Sequence, residues 1–152
     1  MIISKIISGG QTGVDQGALD YALENSVPCG GWCPKGRLCE NGKIPEKYPV
    51  RECESKEYPY RTEKNVIDSD GTLIIIKNSA DRGTGLTKRM CEKHNKPIII
   101  IDIIGSRGGQ RESIQEWINT NNISVLNIAG NRESFSEGIQ EKTKDLLLYL
   151  FS

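Results

Sequence analysis

The sequence predicts an α/β fold, a doubly wound and mainly parallel sheet of five or slightly more strands with helices on both faces. Short β-branched runs alternate with helical stretches along the chain, the pattern of successive βαβ units. At roughly 30 residues per unit, a chain of 152 residues accommodates about five strands in one domain spanning 1–152. Each predicted strand also ends in a loop that joins glycine to polar or cationic residues, and a parallel sheet collects such loops on one edge.

The first strand is read at 2–8 and the following helix at 14–24, where Ala18, Leu19, Ala22 and Leu23 share a face. A short second strand at 27–31 leads into residues 34–60, which hold Pro34, Pro45, Pro49 and Pro59 with little periodicity. A segment that long is read as an ordered functional excursion, with a short strand at 49–53. A short helix containing Glu63 near its start then runs to Asp70 and is closed by Gly71. The third strand is read at 72–76, a helix with Leu86 and Met90 at 86–95, and the fourth strand at 97–102. The helix at 112–121 places Ile114, Trp117 and Ile118 on one face. After a fifth strand at 124–129, the last helix at 136–150 aligns Ile139, Thr143, Leu146, Leu147 and Leu150.

Charge narrows the function. With 20 Lys+Arg against 20 Asp+Glu the formal net charge is zero, so neither nucleic acid nor anionic membrane is an expected partner. Any charge-driven function is local. Apolar runs such as 73–76 and 98–101 are far shorter than the ~20 residues a membrane helix requires, and no cleavable signal is visible. The 5 cysteines are irregularly spaced, so reduced cytoplasmic thiols are expected, and the gaps between Cys29, Cys33 and Cys39 lack the paired spacing of zinc sites. A single histidine, His94, and no Ser/His/Asp set argue against a hydrolytic triad.

Chemistry is sought in the strand-end loops. Gly9, Gly10 and Gly13 with Gln11 and Thr12 suit either a tight strand-helix turn or a cradle of N–H groups for an anion. Thr12 and Asp15 have the spacing of a capping box. Neither G-x-G-x-x-G nor the Lys-Ser/Thr ending of a P-loop is present. Gly83, Thr84 and Gly85 repeat the device beside Arg82, and Lys35, Arg107, Arg111 and Arg132 offer further cations for one cleft or for separate solvated surfaces. Arg61, Glu63 and Asn65 either face that cleft, as hydrogen-bonding groups for a polar heterocycle, or simply suit their helix.

Taken together, Ser8-Gly9-Gly10-Gln11-Thr12-Gly13-Val14-Asp15, Gly30-Gly31-Trp32-Cys33-Pro34-Lys35-Gly36-Arg37, Arg61-Thr62-Glu63-Lys64-Asn65-Val66 and Gly83-Thr84-Gly85-Leu86-Thr87 resemble the molybdenum cofactor carrier protein family. The resemblance is collinear over nearly the whole chain. It implies a Rossmann-like subunit, a homo-oligomer expected as a tetramer, that binds and protects molybdenum cofactor (molybdopterin) or a molybdate- or tungstate-type oxoanion. A carrier needs no catalytic residue, and the cysteine spacing gives no expectation of a protein-bound metal. Carried over by position, the ligand loops comprise Gly9, Gly10, Gln11, Thr12, Gly13 and Asp15, then Lys35 and Gly36, then Arg61, Glu63 and Asn65, and finally Arg82, Gly83, Thr84, Gly85 and Thr87. The wider superfamily also contains nucleotide sensors and lysine-decarboxylase-like phosphoribohydrolases. In an enzyme of that kind Glu63 would be the acid/base, but the stretch from Asp81 to Lys88 has Arg82 where those enzymes carry glycine and no glutamate after it.

Overall fold

In the computed structural model residues 3–105 and 107–152 are described. Ile2, in the first predicted strand, and Ser106, in the loop after the fourth, lie outside the described residues. The chain begins with β1 (Lys5–Ile7), α1 (Val14–Glu24), β2 (Cys29–Gly30) and β3 (Trp32–Cys33). It continues through β4 (Leu38–Cys39), β5 (Gly42–Lys43), β6 (Arg51–Glu52) and α2 (Tyr58–Asp68). The remainder is β7 (Gly71–Ile76), α3 (Arg82–Lys93), β8 (Ile98–Asp102), α4 (Gln110–Thr120), β9 (Val125–Gly130) and α5 (Ile139–Leu150).

Five strands form a parallel sheet in the order β2-β1-β9-β7-β8. The last strand of the chain therefore lies in the middle of the sheet. Counted from β7, the order reads 2-1-3-4-5, one of the two common doubly wound arrangements. On one face Val14 and Ala18 of α1, Ile114 and Ile118 of α4, and Ile139 and Leu147 of α5 pack on Leu73, Ile75, Leu126 and Ile128. Because side chains alternate along a strand, the intervening residues meet α2 and α3 on the other face. The Rossmann-like α/β class expected from the sequence is the class observed.

Several boundaries differ from expectation. Gly31 has φ +129°, and a Cβ there would lie 2.0 Å from the Ser8 carbonyl oxygen, so the chain leaves the main sheet after Gly30. It then pairs β3 with β6 in parallel, Trp32 against Arg51 and Cys33 against Glu52, which gives the strand expected at 49–53 its partner. The excursion closes over a second core of Leu19, Cys33, Cys39, Ile44, Tyr48 and Val50. Arg37 fastens its base by donating to the carbonyls of Ile44, Pro45, Tyr48 and Val50.

α3 starts four residues before the expected position, because Asp81 caps it by accepting from the Thr84 N–H at 2.8 Å, which places Gly83 and Gly85 inside the helix. α2 likewise starts at Tyr58, with Pro59 in its first turn, and ends at Asp68. The carboxylates near its end have definite partners: Asp68 accepts from the Trp32 indole N–H at 2.7 Å, and Asp70 accepts from the Ser124 and Val125 N–H groups. All five cysteines are free, and burial pushes the Cys29, Cys33 and Cys91 thiols up from their ordinary range. No helix among the described residues is long and apolar enough to cross a membrane.

Candidate functional site

A cavity of about 700 Å³ opens at the carboxyl ends of β1, β9 and β7, between α2 and α3. This volume is within the range that holds a small organic ligand. Its floor is the face of β9 turned away from the main core, where Asn127 and Ala129 alternate with buried Leu126 and Ile128. The Asn127 side-chain amide donates to the Thr72 hydroxyl directly across on β7, at 3.1 Å. Tyr58, Pro59, Leu86 and Phe135 supply apolar and aromatic wall.

Charge in the cavity is arranged in two layers. In the buried layer the Arg61 guanidinium donates to the Gly9 carbonyl at 2.6 Å and lies 3.9 Å from the Asp15 carboxylate. Burial raises the Asp15 pKa to about 6, against the opposing pull of Arg61 and of the Gln11 N–H that donates to it at 3.1 Å. Asp81 accepts from the Thr84 N–H and hydroxyl and from the Arg132 N–H, and its carboxylate lies 3.6 Å from the Arg132 guanidinium. In the outer layer Arg82 and Arg89 of α3 also line the cavity, are exposed, and form no ion pair among the described residues. The site thus offers two uncompensated guanidinium groups beside aromatic wall, an arrangement suited to a flat ligand that bears an anionic group.

Of the expected residues, Gly9, Gln11, Asp15, Arg61, Asn65, Arg82, Gly83 and Thr87 line this cavity. Gly10, Thr12, Gly13, Thr84 and Gly85 are adjacent in sequence but do not line it. The expected capping box is corrected: Asp15 accepts from Gln11 rather than from Thr12, and Gly13, with no side-chain cap, precedes the helix. The glycines of this loop admit other parts of the chain. A Cβ on Gly9 would meet Arg61 at 2.2 Å, and one on Gly13 would meet the Asn131 carbonyl at 2.4 Å. The N–H groups of Gln11, Thr12 and Val14 are already bound, to Asp15, the Gln11 side chain and Asn131, so they are not turned toward an anion.

Lys35 and Gly36 are exposed on the excursion and do not reach the cavity. Arg111 donates to the Ser152 carbonyl and Arg107 stacks over Tyr149, so neither joins the other cations. Glu63 is likewise placed elsewhere. Its carboxylate accepts from Lys93 and sits 2.7 Å from the His94 ring nitrogen at the end of α3, contacts that lower its pKa. Asn65 lines the cavity but uses its amide on the backbone of Trp32, accepting from its N–H and donating to its carbonyl. Arg89, Tyr58, Asn127 and Phe135 complete the site without having been singled out in the sequence. Two of them had a signal there: Asn127 is a polar residue inside an apolar strand, and Arg89 follows Arg82 by seven residues, on the same helical face.

A parallel doubly wound sheet with helices on both faces and a cavity at its carboxyl edge defines a Rossmann-like protein. The chain belongs to the circularly permutated YpsA SLOG family, whose model matches residues 6–151. The permutation is visible in the sheet, where β9 follows β7 and β8 in the chain and β1 and β2 complete the order. The chain is also similar to a crystal structure from Syntrophus aciditrophicus SB named "Putative molybdenum carrier protein". The two share 46% identity with a TM-score of 0.95, over 99% of this chain and 96% of that one. These findings support the resemblance drawn from the sequence motifs. No curated protein sequence matches the chain.

Proposed function

We propose that the protein is a cytoplasmic carrier that binds molybdenum cofactor, or a related phosphorylated or oxoanionic ligand, in the cavity between α2 and α3 without covalent chemistry. The observation that carries this reading is the pair Arg82 and Arg89, unpaired among the described residues, on the rim of an aromatic-walled cavity of about 700 Å³. Guanidinium groups bind phosphate and oxometalate oxygens through paired N–H donors, and a pterin ring has the flat apolar faces that Tyr58 and Phe135 can cover. The name of the Syntrophus protein supports a molybdenum-related cargo. Homo-oligomerisation, expected as a tetramer, belongs to the same reading and is measured by sedimentation.

Hydrolysis of a nucleoside monophosphate with Glu63 as acid/base has no geometric support, because that carboxylate is bound outside the cavity by Lys93 and His94. The deciding experiment titrates the protein with molybdenum cofactor, molybdate, tungstate and AMP by calorimetry and thermal melting. A ligand that binds the native state alone raises the melting temperature by mass action. The expected result is stabilisation by cofactor or oxometalate and a loss of affinity of about tenfold or more in Arg82→Ala/Arg89→Ala, about 1.4 kcal/mol per decade. Stabilisation by none of these ligands overturns the carrier reading, and release of free base from AMP replaces it with an enzyme.

A further inference from the structure

Glu40 lies at the tip of the β4–β5 hairpin, and its carboxylate occupies a cradle built by other parts of the chain. The Thr12 hydroxyl, the Ser134 N–H and the Ser134 hydroxyl donate to it, and the Arg132 guanidinium lies 3.4 Å away. Thr12 is 3% exposed, and its oxygen is fixed by the Glu133 N–H, which donates to it at 3.2 Å. Such a convergence of hydroxyl, amide and guanidinium donors is the chemistry of an oxoanion site. The cradle adjoins the cavity, since Arg132 lines both and Gln11, whose side-chain amide oxygen accepts from the Glu40 N–H, is a cavity residue. The hairpin base is pinned by Arg37 and buried Cys39, whereas the Glu40 side chain is 20% exposed and has rotatable bonds of its own.

We propose that this cradle is a second oxoanion subsite, held by Glu40 as a stand-in ligand, and that a tetrahedral dianion such as molybdate or a phosphate group displaces the carboxylate from it. This inference rests on the reading that the adjoining cavity takes anionic cargo. A dianion brings more charge and more acceptor oxygens to the same donors than a carboxylate does. A tethered carboxylate competes at high effective concentration, so Glu40 weakens anion binding and favours release.

The test titrates molybdate and, separately, inorganic phosphate into wild type, Glu40→Gln and Glu40→Ala, followed by calorimetry and by the amide signals of Ser134 and Gly83. Glu40→Ala is expected to bind at least tenfold more tightly, with the Ser134 amide shifting on titration and the gain reversed by adding Ser134→Ala. Glu137→Gln removes the same charge from an exposed neighbour and is expected to leave affinity unchanged. Affinity within twofold of wild type, or tighter binding with a stationary Ser134 amide, overturns the subsite. A shift at Gly83 without one at Ser134 removes the subsite and keeps the cavity, whereas a shift at Ser134 alone keeps the subsite and removes the cavity reading.

Discussion

At the scale of single residues, Asp15 is the most consequential group in the site. Burial holds its pKa near 6, so the fold prefers the protonated carboxyl. The stability this group contributes is complete below about pH 4, the unfolded value, and is lost as pH rises through about 6. A shift of that size corresponds to about 2 to 3 kcal/mol. Asp15→Asn retains an acceptor for the Gln11 N–H and does not ionise. The stability of Asp15→Asn relative to wild type is therefore expected to rise by about that amount between pH 4 and pH 7 in urea unfolding. A difference that stays flat with pH contradicts this account. Ionised Asp15 also adds negative charge beside the cavity, so anion affinity is expected to fall over the same pH interval.

Among the elements, α1 and α5 pack closely through a glycine. A Cβ on Gly17 would lie 2.5 Å from the Gln140 carbonyl oxygen and 3.0 Å from the Thr143 Cβ. Alanine is the better helix former by about 1 kcal/mol, yet here it forces two helices apart. Gly17→Ala is expected to destabilise the protein by about 1 to 3 kcal/mol in urea unfolding. Elements were legible in the sequence where one local pattern decided them: the isoleucine runs of β7 and β8, and the apolar spacing of α1, α4 and α5. Of the excursion, the strand at 49–53 was legible and the rest was not, because its order comes from non-periodic contacts such as the four carbonyls that Arg37 binds. The site was half legible for a related reason. With α2 starting at Tyr58, Arg61, Thr62 and Asn65 form its buried face, and Glu63, two residues from Arg61, points away from them. The glycine loop after β1 was visible, but a sequence does not distinguish glycines that admit a ligand from glycines that admit Arg61 or Asn131.

On the scale of the whole molecule, the central β9 pairs with both β1 and β7 and so joins the two halves of the sheet. α5 returns from the carboxyl edge of the sheet to the edge where β1 begins, which brings Phe151 to the same side as Ile3. A permutant opened between Ser69 and Asp70, with its old ends joined by a short flexible linker, is expected to fold to the same sheet and melt in one cooperative transition. Circular dichroism and calorimetry test this, and loss of cooperative melting refutes it. Neutral overall charge also has a structural meaning, because Arg82 and Arg89 of the cavity form no ion pair among the described residues while cations such as Lys93, Arg132 and Lys144 are held by carboxylates. The order of the strands bears on biosynthesis as well. A ribosome delivers β9 last of the five, so until it emerges β1 and β7 each display an open edge of backbone donors and acceptors. Between the synthesis of β8, which ends at Asp102, and that of β9, which starts at Val125, the nascent chain therefore holds two half-sheets without the strand that hydrogen-bonds to both, and these open edges are covered only when the final strand slots between them.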